Sequence, residues 1–212
     1  MARNEELYLA ILKGDRANVQ AILQNAINLN QDVNELLEET MIPAMREVGE
    51  RFARNEIYVP EMLISARAMQ AGLTLIEPIL AKSNHKARGK IAIGTVKGDL
   101  HDIGKNLVSM MVEGSGFEVI DLGTDVPPQK FVDAVKEHQP DIVGMSALLT
   151  TTTKSMPATL AALTEAGVRD QVKVIIGGAP ITDDFAVKIG ADGFAADAGS
   201  AARAARALMG LA

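Results

Sequence analysis

From residue 89 onward the chain alternates short apolar runs with amphipathic helical stretches, whereas residues 3 to 81 contain no alternating strand pattern at all. That switch in hydrophobic period constrains the fold more than any other feature. The runs Ile91–Thr95, Phe117–Asp121, Ile142–Met145, Val172–Ile176 and Gly193–Ala195 read as strands, with helices between them and a last helix from about Ser200 to Met209. Strands joined by helical crossovers pair in parallel, so the second part is expected to be a doubly wound sheet with helices on both faces. Five such units most often take the order 2-1-3-4-5, which places a ligand crevice between the loops after strands 1 and 3.

The first part reads as helices alone. Leu7, Ala10 and Ile11, then Val19, Ile22, Leu23, Ala26 and Ile27, recur at helical spacing. Asp15 is placed to cap the second helix after Gly14, Thr40 followed by Pro43 marks a further start, and Pro60 opens a helix through about Leu80. Four or five short helices fit a small antiparallel bundle. The segment AKSNHKARG, residues 81 to 89, separates the two patterns and sets the expected domains at 1–88 and 89–212.

Composition excludes several classes. The net charge of −6 is spread evenly: residues 1 to 88 carry 10 basic and 12 acidic side chains, residues 89 to 212 carry 11 and 15. No nucleic-acid footprint follows from such a distribution. With no cysteine there is no disulfide framework, and MARNEELYLA lacks the basic and apolar regions of a secretion signal, so a cytoplasmic location is expected. The longest uncharged apolar-leaning run, Ile142 to Thr153, is too short and too rich in threonine to span a bilayer, so no membrane association is expected.

The chemistry concentrates in KIAIGTVKGDLHDIGKN, residues 90 to 106: a strand, a glycine-bearing loop and a helix opening near Asp102. Helix N-termini after parallel strands bind ligands. Gly94, Gly98 and Gly104 do not fall at the G-x-G-x-x-G spacing of dinucleotide sites. A protein-built zinc or iron site needs three or four ligands, and the three histidines, His85, His101 and His138, are far apart. A metal here must bring most of its own ligands. Haem and corrin both do so, since the macrocycle supplies four nitrogens and the protein need offer one axial imidazole. His101 has the loop context for that role; His85 and His138 read as solvated.

Asp99-x-His101-x-x-Gly104 resembles the D-x-H-x-x-G fingerprint of cobalamin-binding domains, in the version found in methionine synthase and in small corrinoid proteins of methyltransferase systems. Ser146-x-Leu148 and Gly177-Gly178 resemble the S-x-L and G-G elements of the same family, in the same order. Residues 38 to 69, EETMIPAMREVGERFARNEIYVPEMLISARAM, resemble its helical cap. The resemblance runs from about residue 5 to 210 and includes neither substrate barrels nor a reductive-activation domain.

The resemblance implies a helical cap bundle followed by a flavodoxin-like doubly wound α/β domain of five parallel strands that binds cobalamin or a related corrinoid. It implies that His101 ligates cobalt and that Asp99 and Thr152 form a proton relay behind it; the family's serine at the last position is a threonine here. The implied corrinoid contacts are Gly98, Asp99, Leu100, His101, Asp102, Ile103, Gly104, Ser146, Leu148, Thr150, Gly177, Gly178 and Ala198, with Glu38, Phe52 and Val59 contributed by the cap. Met62 and Leu63 stand behind the last two. The implied function is a methyl carrier between a substrate-specific corrinoid methyltransferase and a thiol or tetrahydrofolate acceptor methyltransferase, recharged by a reductive activating protein. A non-enzymatic corrinoid sensor is the alternative; it would carry a DNA-binding module upstream.

Overall fold

The computed structural model describes residues 3–83 and 86–211. His85 lies outside the described residues. The chain divides into two compact units, Met1–Ala87 with Glu113–Gly116, and Arg88–Val112 with Phe117–Ala212.

The first unit is helical: α1 Glu5–Leu12, α2 Arg16–Asn28, α3 Val33–Leu36, a π-helical turn Leu37–Met41, α4 Ile42–Ala53 and α5 Val59–Lys82. Asn4 and Asp15 cap α1 and α2 by accepting the backbone N–H of Leu7 and Asn18. Such caps satisfy helix-end donors that would otherwise lack partners. The apolar stripes meet as expected, with Leu7, Ile11, Val19, Leu23, Met41, Met45, Met62, Met69 and Ile76 all buried. The α5 helix continues past Leu80 to Lys82, so the break between the two patterns starts later than Ala81.

Thr40 does not open a helix. The backbone is helical without interruption from Val33 to Ala53, and Thr40 is buried inside it, its hydroxyl accepting the Asn4 N–H at 3.0 Å. Pro43 explains the local form: it has no N–H to give the carbonyl four residues back, and the ladder widens into a π turn just before it.

The second unit is a five-stranded parallel sheet of order β2-β1-β3-β4-β5. Its strands are β1 Lys90–Val96, β2 Glu118–Val126, β3 Ile142–Ser146, β4 Lys173–Gly177 and β5 Gly193–Ala195. The crossover helices are α6 Ile103–Glu113, α7 Pro128–His138, α8 Ser155–Glu165 and α9 Asp183–Ile189, and α10 Ala198–Leu208 follows β5. Ala92, Val96, Phe131, Val143, Met145, Met156, Val174 and Ile176 form the core of one face. Central strands covered on both sides must be apolar throughout, and β1 and β3 are buried over nearly their whole length.

Most strand ends differ from the sequence reading by one residue; two boundaries of this unit differ by more. The β2 strand continues five residues past Asp121, because the edge strand absorbs Gly123 and Asp125, both at positive φ, as register shifts against β1. The last helix starts at Ala198, since Asp197 accepts the Ser200 N–H at 2.7 Å while the Ser200 hydroxyl accepts the Asp197 N–H at 3.0 Å.

Candidate functional site

All five strands point the same way, so the loops after β1, β3, β4 and β5 share one end of the sheet. Register places Thr95, Ser146, Gly177 and Ala195 in one row across β1, β3, β4 and β5 at that end. The topological switch lies between β1 and β3, and both of their loops converge on Asp99.

Asp99 is fully buried, and both of its oxygens are occupied. Oδ1 lies 2.7 Å from His101 Nδ1 and accepts the His101 backbone N–H at 3.1 Å. Oδ2 accepts the backbone N–H of Leu148 at 2.8 Å and of Leu149 at 3.3 Å, and the Thr152 hydroxyl at 2.7 Å. Burial raises the carboxyl pKa, but the donors from Thr152, Leu148 and His101 overcome it and hold the group well below the usual carboxylate range. Asp99 is therefore an anion, which can only accept.

An acceptor-only partner assigns the ring proton of His101 to Nδ1. In the neutral ring Nε2 then keeps the lone pair, on a side chain whose relative exposure is 51%. The imidazole is braced from behind and available in front, as histidines that ligate metals are.

The loop itself is tied at several points. The Thr95 hydroxyl donates to the His101 carbonyl at 2.9 Å, and the Ser155 hydroxyl to the Lys97 carbonyl at 3.0 Å. Asp125 accepts the Gly98 N–H and donates its own N–H to the Asp99 carbonyl. The Asp102 carbonyl receives the first helical bond of α6, from Asn106 at 2.8 Å. One turn on, Lys105 is buried with its ammonium 2.6 Å from both oxygens of Asp121.

Around His101 the surface is apolar and open. Leu100 and Ile103 are 73% and 76% exposed, Leu148 and Leu149 are also exposed, and a Cβ at Gly104 would have no atom within 4 Å. Exposed leucines and isoleucines gathered at one strand end mark a binding surface. Thr150 is exposed beside them, and Ser146 is half-buried at the end of β3.

Gly177 and Gly178 do not simply leave room for a ligand. A Cβ at Gly177 would stand 2.7 Å from the Ala195 carbonyl oxygen, and one at Gly178, where φ is +126°, would stand 1.9 Å from that of Ala147. Both glycines are required by the chain's own backbone. Ala198 is buried at the start of α10, which gives its side chain little surface to offer.

The structure thus brings together Asp99, His101, Leu148 and Thr152, with Gly98, Leu100, Asp102, Ile103 and Gly104 on the same loop and helix start. In the helical unit, Glu38 lies in the π turn, Phe52 is half-buried near the end of α4, and Val59, 42% exposed, begins α5. Met62 is a core residue of that unit, whereas Leu63 is half-buried. His138 sits partly exposed in the last turn of α7. Sequence reasoning missed Thr95, Leu149, Lys105 and Asp125; an Asp between Gly123 and Pro127 at a strand end is the signal that could have drawn attention to Asp125.

Comparison with known proteins gives the arrangement its relatives. A family model described as B12 binding domain matches residues 89–207, and a second of the same description matches residues 3–77. The trimethylamine corrinoid protein of Methanosarcina barkeri is 42% identical over 215 residues, covering 99% of this chain and 99% of the relative. A corrinoid protein of Desulfitobacterium hafniense strain Y51 is 38% identical over 213 residues, with 99% of each covered.

Among solved structures, a cobalamin-binding protein from Desulfitobacterium hafniense DCB-2 matches with a TM-score of 0.80 at 35% identity, covering 95% of this chain and 96% of that one. A chain of the methanol:cobalamin methyltransferase complex of Methanosarcina barkeri matches with a TM-score of 0.85 at 28% identity, covering 97% of this chain and 78% of that one.

Proposed function

The chain belongs to the cobalamin-binding corrinoid proteins, and from that membership we propose that it is a methyl carrier that serves two methyltransferases, with His101 as the axial ligand of cobalt. One observation carries the ligand assignment: Asp99 accepts the hydrogen bond of Nδ1–H, which leaves Nε2 as the ring nitrogen not engaged with it, on a half-exposed ring. The residues fit a corrinoid. Among the described residues no three His, Cys, Asp or Glu side chains converge to hold a metal ion, so equatorial donors have to arrive with the cofactor. Leu100, Ile103 and the open position at Gly104 suit a broad apolar ring face.

When bound, the corrinoid supplies the cobalt at which a methyl group is taken up and given away. The chain's own contribution is positional and electrostatic. Asp99 orients the imidazole through Nδ1; if Nε2 is released from the metal it can hold a proton there, with the buried carboxylate on the other side of the ring. Thr152 fixes the far oxygen of that carboxylate and completes the relay. We assign residues 1–88 as the cap, with Glu38, Phe52 and Val59 as its contributions to the corrinoid site. Ser146, Thr150, Gly177, Gly178 and Ala198 are assigned to the crevice at the strand ends.

The partners in this reading are a substrate methyltransferase, an acceptor methyltransferase acting on a thiol or tetrahydrofolate, and a reductive activating protein. The methyl donor is held by the partner. Trimethylamine and dimethylamine corrinoid proteins among the relatives make a methylated amine the first donor to test. No described helix is long and apolar enough to cross a membrane, and the absence of cysteine supports a cytoplasmic setting.

The test is His101→Ala in the full chain reconstituted with cobalamin. Loss of the imidazole-ligated visible spectrum is expected, together with loss of methyl transfer from the substrate methyltransferase. A spectrum identical to wild type overturns the ligand assignment.

A further inference from the structure

We propose that Asp125 is a positioning residue for His101, holding the ligand loop in register from the neighbouring edge strand. The proposal rests on the reading of His101 as the axial ligand and assigns a second anchor for it, independent of Asp99's carboxylate.

Asp125 lies one residue before the end of β2, the edge strand paired with β1. Its φ is +52°, in the left-handed region that Asp tolerates better than most residues but that still has a conformational cost. That conformation lets it make two bonds in opposite directions. Oδ1 accepts the Gly98 N–H at 2.7 Å, and its backbone N–H donates to the Asp99 carbonyl at 2.9 Å. The pair closes a ring around the peptide between Gly98 and Asp99, across 27 positions of sequence.

Asp99 spends its whole carboxylate inward, on His101, Leu148, Leu149 and Thr152, so its side chain cannot also anchor its own backbone. Asp125 does. Gly98, at φ +86°, would otherwise offer its N–H to water, and a rotation there would carry Asp99 and the imidazole with it. The Asp99 N–H also donates to the Val96 carbonyl at 3.1 Å, and the other side chains that tie the loop from outside it, the Thr95 and Ser155 hydroxyls, are neutral and reach carbonyls on either side of this peptide. Of these three side chains, Asp125 alone contributes a charge, and charge-assisted bonds are the stronger kind.

The experiment uses the full chain labelled with ¹⁵N-histidine, reconstituted with cobalamin and reduced to the cobalt(II) form. The ¹⁵N splitting in its electron paramagnetic resonance spectrum gives the fraction of bound corrinoid that carries His101, and this is compared with the thermal midpoint. Asp125→Asn keeps both the acceptor and the tolerance of positive φ, so it should hold the wild-type ligated fraction within about twofold. Asp125→Gly relaxes the backbone but removes the acceptor; its ratio of ligated to unligated corrinoid should fall about fivefold, in line with losing one hydrogen bond to a charged group at a partly exposed site. Asp125→Ala, strained as well, should fall further.

His101→Ala is the control. If it loses the ¹⁵N splitting while Asp125→Gly keeps the wild-type fraction, Asp125 is only a turn residue and this proposal is overturned, with the ligand assignment intact. If His101→Ala keeps the splitting, the ligand assignment itself falls and takes this proposal with it. A lowered thermal midpoint with an unchanged ligated fraction in Asp125→Gly also overturns it, since a purely structural residue would behave that way.

Discussion

The loop after β1 and the loop after β4 both carry glycine, and both lie at the strand ends where a cofactor is expected, but their atoms are used in opposite ways. In the first, the chain satisfies itself behind the functional group: Asp99 is buried with every oxygen occupied, while His101 Nε2 and the side chains of Leu100 and Ile103 face outward. In the second, the space freed by Gly177 and Gly178 is taken up by the carbonyls of Ala195 and Ala147. A histidine whose back is fully bonded and whose front is not is poised for something outside the chain. A glycine whose missing Cβ would strike backbone is required by the fold, whether or not a ligand also lies against it.

The sharpest way to break this contrast is Gly178→Ala. With a backbone oxygen 1.9 Å from the new Cβ, and a φ of +126° that alanine rarely adopts, the β3 and β4 ends have to move apart. Strain and steric displacement together should reduce unfolding free energy by about 3 kcal/mol or more in urea titrations. A variant as stable as wild type that merely binds cobalamin less well would assign Gly178 to the ligand instead, and the two loops would no longer differ.

Next in size is Asp99→Asn, which tests the first loop. The amide can still accept from Leu148 N–H through its oxygen, but its nitrogen then faces His101 Nδ1 as a donor. That reverses the ring tautomer, places the proton on Nε2 and blocks the ligating lone pair. The ligated fraction of bound cobalamin should drop at least tenfold, while stability falls by about 1–3 kcal/mol, the cost of weakened bonds to a charged acceptor.

The pH dependence follows from the same group. The folded-state pKa of Asp99 is depressed below its unfolded value, so its contribution to stability is fully present above the ordinary carboxylate range near pH 4 and is lost as pH falls toward the folded pKa. The stability gap between wild type and Asp99→Asn should therefore be constant from about pH 5 to 7 and shrink below about pH 4. A gap that widens on acidification would mean that Asp99 is neutral in the folded protein.

Much of this was legible in the sequence, and the residues show why. Strand identity followed from apolar runs, which depend on local pattern, and the order from the arrangement that five such units most often take. Asp99, His101 and Gly104 were visible because they lie within six consecutive residues that resemble a family fingerprint. Asp125 was invisible because its bond partners are in another strand and its own neighbours, Gly123 and Pro127, read as the end of β2 rather than as a bulged continuation. Thr40 misled for the converse reason: a Thr three residues before a Pro has the local chemistry of a helix start, and only the N-terminal segment lying over it, through Asn4, turns the hydroxyl to another use. The steric need for glycine at Gly177 and Gly178 was equally beyond local reading, since the oxygens that forbid a side chain belong to Ala195 and Ala147.

The smallest expected effect concerns Thr152, where the family resemblance has serine. Its hydroxyl reaches Asp99 Oδ2 at 2.7 Å and lies 2.8 Å from the Leu149 carbonyl, so its single proton has two acceptors and goes to the charged one. Its methyl carbon stands 3.6 Å from where a Cβ on Gly98 would be, which is ordinary contact distance over an otherwise bare turn. Thr152→Val keeps the methyl and the shape but leaves the buried carboxylate one donor short; this should cost about 1–2 kcal/mol and reduce the ligated fraction of cobalamin. Thr152→Ser keeps the donor and loses only the methyl, for about 0.5–1 kcal/mol and no change in ligation. The order Val worse than Ser is what the hydroxyl relay requires. If Ser is the worse of the two, the methyl packed over Gly98 is the reason for threonine here, and the first loop is held partly by packing, as the second one is.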